Sequence, residues 1–277
     1  PRLRYLHLRS NQLNELDPQL LIENHDLNFL DLVNNNLNHL NPDLFSNQCK
    51  LEVLNLSRNS IQSLDPQLFS SLHKLQVLDL KINALRSIPK NLFSGLRRLY
   101  LLYLSYNQLQ ELDPDIFKDL ESLVALFLNN NQLNTVPKNL FAELGNLYEL
   151  ILDSNHLTSL PTNIFYGLRK LERLALNGNP IDNISATMLE PLQHLLIIRF
   201  REMKLKNLPE DVFVHNKNLR DIALSYNPLQ TLPSSIYSLP DLLEIQLSNT
   251  NVTPTGNGYY SSRSAIEELF SRLKTSN

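Results

Sequence analysis

A leucine returns every 24 residues through most of this chain, and that period restricts the fold more than any other feature. Counted from the first leucine of the stretch 51–75, apolar residues occupy positions 1, 4, 6, 11, 14 and 22. A shorter step of 23 residues then leads to Leu242 and an eleventh, incomplete unit. One unit is too short to bury its own apolar residues, so the period predicts stacked coils. The starting leucines are Leu3, Leu27, Leu51, Leu75, Leu99, Leu123, Leu147, Leu171, Leu195 and Leu219.

The first half of each unit predicts a short strand followed by a turn. Apolar residues at positions 4 and 6 alternate with exposed ones, and stacked coils would align these strands in a parallel sheet. Beyond the strand the backbone groups lose their ladder partners, and a side-chain amide can both donate to them and accept from them. We expect this role for the position-9 asparagines, which are Asn11, Asn35, Asn59, Asn83, Asn107, Asn131, Asn155, Asn179 and Asn227.

The second half of most units turns at a proline and carries a phenylalanine at position 19, so the phenylalanines should stack into an internal column. Leu21 and Leu189 replace this phenylalanine in the first and eighth units. Met203 replaces the asparagine of the ninth unit, where we expect water or another side chain to supply the missing bonds. The column consists of Phe45, Phe69, Phe93, Phe117, Phe141, Phe165 and Phe213.

The pattern LxxLxLxxNxL followed by LPxxxFxxL resembles the 24-residue leucine-rich repeat of secreted proteins, Toll-like receptor ectodomains and some bacterial proteins. The resemblance covers about residues 3–252. It implies an α/β-type solenoid, a curved horseshoe with a parallel β-sheet on the concave face and irregular or 3-10 segments on the convex side. We therefore expect residues 1–252 to form ten full repeats plus a partial eleventh.

The two ends of the array should differ. Solenoids need capped ends, and Pro1 stands two residues before the first repeat, so an N-terminal cap is expected to be missing. Residues 253–262 read as a loop. An amphipathic helix with its N-cap at Ser264 should follow and cap the last coil within residues 253–277, with docking of a partner as the alternative. Its apolar residues are Ile266, Leu269, Phe270 and Leu273.

The sequence contains no motif for catalysis or for cofactor binding. It has no HExxH, no phosphate-binding glycine loop and no CxxC pair, and its single cysteine, Cys49, excludes an intrachain disulfide. We expect Cys49 to be a half-buried thiol. A net charge of −3 and a pI near 6.2 argue against nucleic acid or anionic membranes, and no apolar run is long enough to insert into a bilayer. We expect neither an enzyme nor a cofactor.

Positions 3, 5 and 7 of each unit point away from the core onto the concave face. At position 5 the central units carry Tyr103, Phe127 and Ile151, which should lie roughly 5 Å apart from strand to strand. Exposed apolar groups with charge around them are typical of a protein-binding hot spot. The remaining candidate binding residues are Leu101 beside the aromatics, Tyr106 and Tyr148 at the edges, Asp79 and Asp153 nearby, and Arg199 and Arg201 towards the C-terminal side.

Two functions are consistent with this surface. The first is a non-enzymatic recognition module that binds a protein partner on the concave face. The alternative is the substrate-recognition arm of a larger enzyme or receptor, of kinase or ubiquitin ligase type. The repeat subtype favours a secreted or extracellular protein, while the lack of cysteine-rich caps leaves an intracellular one open. Sequons for glycosylation occur at Asn55, Asn183 and Asn251.

Overall fold

The structure is a computed structural model, and it describes residues 3–253 and 258–275. In these residues twelve strands form one sheet in which spatial order follows chain order. Strands β1 to β11 are parallel to one another, and β12 runs antiparallel to β11. The strands are β1 Tyr5–His7, β2 Phe29–Asp31, β3 Val53–Asn55, β4 Val77–Asp79, β5 Leu101–Tyr103, β6 Ala125–Phe127, β7 Glu149–Ile151, β8 Arg173–Ala175, β9 Ile197–Arg199, β10 Asp221–Ala223, β11 Glu244–Gln246 and β12 Tyr259–Tyr260.

Each of the first ten strands pairs in register with a neighbour one unit along the chain, so equivalent positions of successive units stand side by side. Tyr103, for example, lies between Asp79 and Phe127. The central leucine of each strand points inward, and Leu102 and Leu126 have no exposed surface. The curved solenoid with a parallel concave sheet, which the repeat pattern predicts, is therefore confirmed.

The position-9 asparagines bond neighbouring coils to each other, as the sequence predicts. The side-chain Nδ2 of Asn107 donates to the carbonyl of Leu104 in its own coil at 3.1 Å and to that of Leu80 in the preceding coil at 3.0 Å. Its Oδ1 accepts from the backbone N–H of Leu85 at 3.0 Å. One amide thus satisfies three backbone groups that the turn leaves without ladder partners.

The missing asparagine at Met203 is compensated in a way that the sequence did not predict. The N–H of Ile181, which would face the side chain at position 203, donates instead to the carbonyl of Asn179 at 2.8 Å. This three-residue turn is centred on Pro180, whose fixed φ is compatible with it. For this N–H the backbone supplies the acceptor in place of the expected water or side chain, whereas the carbonyl of Phe200 accepts from the side chain of Asn227. Met203 packs into the core and is 4% exposed.

The convex side contains the phenylalanine column. Rings of consecutive coils are stacked with centroids 6.3 Å apart for Phe93 and Phe117 and 6.4 Å apart for Phe117 and Phe141. Regular structure on this side of the described residues is limited to the short helix α1, Ala186–Leu189, and a 3-10 helix, Ser234–Ser238. Cys49 is exposed rather than half-buried.

The C-terminal segment packs against the last coils. Helix α2, Arg263–Thr275, buries Ile266, Leu269 and Leu273 in the same core as the repeats. Two details differ from the expectation. Ser262, not Ser264, caps the helix, because its hydroxyl accepts the N–H of Ala265 in the first turn at 3.2 Å, and Tyr259–Tyr260 adds a strand where a loop was predicted. Residues 254–257 of that loop lie outside the described residues. We propose that α2 caps the last coil; the boundary at residue 252 stays a prediction.

The phenylalanine column gives a first test of which side chains face inward. Phe117 has no exposed surface, so Phe117→Ala should leave a cavity and lower the free energy of unfolding by about 3–5 kcal/mol. Phe127→Arg should cost less than about 1.5 kcal/mol, because it removes only a ring contact at the surface. Thermal and urea unfolding of the two variants would contradict this assignment if both were equally damaging.

Candidate binding surface on the concave sheet

The aromatic cluster predicted on the central strands forms a compact shelf. In-register pairing of β5 with β6 places the rings of Tyr103 and Phe127 parallel to each other, with centroids 4.7 Å apart and planes 8° apart. Ile151 continues this row on β7, and Leu101 lies beside it on β5. All four side chains are half-buried and point away from the leucine core. We call Tyr103, Phe127 and Ile151 the apolar shelf.

A cation covers one end of the shelf. Lys81 Nζ lies 5.2 Å from the centroid of the Tyr103 ring and 3.3 Å from Asp79 Oδ2, so one ammonium group contacts both an aromatic face and a carboxylate. The other oxygen of Asp79 accepts the N–H of Lys81 at 3.0 Å. Burial first, then the charges of Asp79 and Glu149, raise the pKa of Tyr103, so its hydroxyl stays protonated at neutral pH.

The two edge tyrosines, Tyr106 and Tyr148, lie at opposite ends of the strands. Tyr106 follows β5, has a left-handed φ of 55° and is 54% exposed. Tyr148 directly precedes β7 and is 39% exposed. A hydrogen bond with Glu172 and the charge of that carboxylate raise the pKa of Tyr148. Both side chains are thus accessible at the borders of the central strands.

The arginines on the C-terminal side are held by neighbouring polar groups. Arg199 forms an ion pair with Asp221, and Arg201 donates to the side-chain oxygen of Gln246. Arg173 forms a looser pair with Glu149, with 3.4 Å between Nε and Oε1. Among these three, Arg201 is the guanidinium without a carboxylate partner in the described part of the chain, and its Nε is buried without an acceptor.

An open pocket of about 240 Å³ separates the shelf from these arginines. It exists because position 5 of the eighth unit is Ala175, a small side chain between Ile151 and Arg199. We call it the Ala175 pocket. Its lining consists of Glu149, Ile151, Asp153, Arg173, Leu174, Ala175, Asn177, Ile197, Arg199 and Arg201.

Asp153 is one of the two carboxylates that line the Ala175 pocket; the other is Glu149. Its Oδ1 accepts the backbone N–H of Asn177 at 2.7 Å, and the side chain of Asn177 in turn accepts the N–H of Arg201 at 2.8 Å. Burial raises the pKa of Asp153 above 3.8, against the lowering effects of Asn177 and of the two nearby arginines. The neutral form is therefore favoured more than in water.

Some contributors to this surface were not among the predicted residues. Lys81 and Ala175 are examples, and so are the apolar residues that precede Leu101 at position 3. Reading position 3 from unit to unit would have revealed this last group, because it is apolar from the first unit to the sixth. Position 3 of these six units holds Tyr5, Phe29, Val53, Val77, Leu101 and Ala125, of which the first four precede Leu101 and were not predicted.

Larger cavities lie away from the sheet. One of about 550 Å³ on the convex side is lined by charged and small residues such as Asp115, Lys118 and Glu143. No Ser, Thr, Cys or His lines this cavity, so the concave surface is the stronger candidate despite its smaller pocket. Among the described residues no cluster of His, Cys, Asp or Glu could hold a metal ion.

The three sequons differ in accessibility. Asn183 and Asn251 are exposed and lie outside the strands. Asn55 is the half-buried last residue of β3, and the serine of its sequon, Ser57, is 2% exposed. The first two positions therefore offer more room for a glycan than the third.

The raised pKa of Asp153 has a consequence for stability. A carboxyl group whose pKa is higher in the folded state binds more protons folded than unfolded, so stability falls as pH rises from about 3.8 through the folded pKa. Asp153→Asn keeps an acceptor for the Asn177 N–H and removes the buried charge. We expect a higher Tm than wild type at pH 7 and an equal Tm near pH 3. A lower Tm at pH 7 would show that attraction to the arginines outweighs burial.

Comparisons with known proteins agree with this geometry. No curated protein matches the sequence. Solved structures do: Toll in the Drosophila Toll–Spatzle complex has a TM-score of 0.78 at 25% identity, covering 90% of this chain and 38% of the Toll chain. A leucine-rich repeat protein of Leptospira interrogans has a TM-score of 0.73 at 27% identity, covering 98% and 71%. FLRT2, in an octameric complex with latrophilin 3 and Unc5D, has a TM-score of 0.71 at 28% identity, covering 82% and 68%.

In the described residues no helix combines the length and apolarity needed to cross a membrane.

Family models match most of the chain. The model described as "Leucine rich repeat" matches residues 49–109, 97–157, 145–201 and 197–252, and a second repeat model matches residues 2–23. Together with the register of the strands and the asparagine bonds between coils, these matches show that the chain belongs to the leucine-rich repeat family.

Proposed function

We propose that this protein is a non-enzymatic recognition module that binds a protein partner on its concave face, with the apolar shelf as the hot spot. The observation that carries the proposal is the stacked Tyr103–Phe127 pair, which points away from the core. The leucines beneath already fill that core, so folding does not require aromatic side chains at these two positions. Central aromatic groups surrounded by polar ones contribute most of the binding energy in many protein interfaces.

The surroundings of the shelf suit a partner with an apolar contact surface. Leu101 and the apolar residues of position 3 extend the shelf towards the N-terminal coils, and Tyr106 and Tyr148 extend it to both edges. The nearby charges Asp79 and Lys81 already pair with each other, so they can orient a partner without a large desolvation cost.

Similar proteins act through complexes. Toll is found with Spatzle, and FLRT2 is found with latrophilin 3 and Unc5D. The family consists typically of recognition modules, which supports the non-enzymatic assignment. Since this chain spans 38% of the Toll chain, the second candidate is a recognition arm of a larger receptor or enzyme. We favour a protein, not a nucleic acid or a bilayer, as the partner because the net charge is −3.

The same likeness favours a secreted or extracellular location, and this proposal leads to a prediction on modification. In native material we expect hexose-containing mass increments at Asn183 and Asn251, which are exposed, and none at Asn55. Intact mass and glycopeptide mapping would measure this. Unmodified asparagines at both exposed sequons would count against passage through a eukaryotic secretory pathway.

The proposed function is tested by substitution of the shelf. We expect a Tyr103→Glu, Phe127→Arg double variant to lose the partner that wild type captures from an extract of the native host. The captured protein is then purified, and its affinity should fall by about a hundredfold or more, since hot-spot residues each contribute at least about 2 kcal/mol. Isothermal titration calorimetry measures the change.

Tyr166→Glu is the matched control, because this tyrosine is 67% exposed but follows the phenylalanine on the convex side. Circular dichroism must show that all variants are folded. Equal affinity of wild type and double variant would refute binding at the shelf. Loss in the control alone would move the interface to the convex side.

A further inference from the structure

The Ala175 pocket has an uneven balance of charge. Two of its cations are matched, Arg173 by Glu149 and Arg199 by Asp221. Arg201 bonds instead to Gln246, a neutral amide. The remaining carboxylate, Asp153, accepts a backbone N–H and is biased towards its neutral form by burial. Three cations and two carboxylates line the pocket, and Arg201 is the cation whose observed hydrogen-bond partner is neutral.

The bonding of Arg201 is also incomplete. Its Nε is buried and lacks an acceptor among the described residues, and leaving a buried donor without a partner is unfavourable. A guanidinium can give two parallel N–H bonds to one carboxylate. A small rotation towards the pocket would let Arg201 offer Nε and a terminal nitrogen to an acceptor that arrives there.

The pocket continues into the apolar shelf. Ile151 belongs to both, and only the small side chain of Ala175 lies between Ile151 and Arg199 along position 5. From β7 to β9 the distance is about 10 Å, from two inter-strand spacings. Side chains two residues apart on an extended segment leave the backbone on the same side, about 7 Å apart, and the length of large side chains covers the rest of this distance.

We propose that the Ala175 pocket binds the carboxylate of an acidic side chain of the partner, received by Arg201, while an apolar side chain of the same segment packs on Ile151. This inference rests on the proposed function and specifies its chemistry. The source is an internal Asp or Glu, because the sheet surface continues on both sides of the pocket and lets the segment cross it. Arg173 and Arg199 add positive potential but keep their own carboxylates.

The test uses two blocked peptides, acetyl-Phe-Ala-Glu-amide and acetyl-Phe-Ala-Gln-amide, which differ only in the charge of one side chain. The protein is labelled at the isoleucine methyl groups, so that Ile151 and Ile197 report on the pocket and Ile116, buried on the convex side, reports on distant effects. We expect the Glu peptide to shift the Ile151 and Ile197 methyl signals and to bind about tenfold more tightly than the Gln peptide.

Two variants test the residues. Arg201→Gln should abolish the preference for the Glu peptide, whereas Arg169→Gln, an exposed arginine of the convex side, should leave it unchanged. Ala175→Leu fills the pocket without altering any charge and should weaken the Glu peptide, which keeps the test valid if Arg201→Gln proves unstable. Equal binding of the two peptides, no shift at all, or an unchanged preference in folded Arg201→Gln would overturn the proposal.

Failure of this inference can be distinguished from failure of the proposed function. If the captured partner loses affinity in the shelf double variant but not in Arg201→Gln, the recognition surface stands and the carboxylate pocket is wrong. If the partner is indifferent to the shelf variant, the proposed function is wrong regardless of the peptides.

Discussion

The hydrogen bonds of one asparagine per coil are the interaction on which the rest of this molecule depends. Strands of three residues leave most of each coil in turns, where backbone groups have no ladder partner. Asn107 donates to carbonyls of two consecutive coils and accepts an N–H of the preceding coil. Equivalent asparagines in neighbouring coils repeat the arrangement. Because this bond returns at a fixed interval, it keeps successive strands in register. The columns of side chains on the concave face, including the apolar shelf, are a consequence of that register.

The same requirement explains two irregular coils. Where Leu21 and Leu189 replace the phenylalanine at position 19, the following coil has an amide at position 22 instead of leucine. Gln48 donates to the carbonyl of Leu21 at 2.7 Å, and Asn216 donates to that of Leu189 at 2.9 Å. Both amides are almost fully buried. The two substitutions at each place therefore act as a pair, in which an amide of one coil donates to the carbonyl of the leucine that replaces phenylalanine in the preceding coil.

The repeated features could be predicted from the sequence, and the singular ones could not. The strand, the asparagine bonds and the stacked phenylalanine recur in many units, so the same residue type appears repeatedly at the same position and indicates its role. The turn at Pro180, the helix cap at Ser262 and the exposed Cys49 occur once and depend on local geometry. On the concave face, the repeat predicts which side chains point outward. The repeat does not predict that Lys81 lies over Tyr103, because a long flexible side chain can contact any of several neighbouring groups.

Pairing of charges limits how the concave face can recognise another molecule. Asp79 with Lys81, Glu149 with Arg173 and Asp221 with Arg199 are matched before any partner arrives. A partner that broke such a pair would have to replace both its attraction and its hydration, so little net affinity would result. Affinity must then come from groups without such partners, which are the apolar side chains of the shelf. Orientation can come from Arg201, whose guanidinium has a neutral amide as its partner and a buried donor without an acceptor. The combination favours a segment in which an acidic residue and an apolar one are close in sequence, because the two features of the surface lie two strands apart.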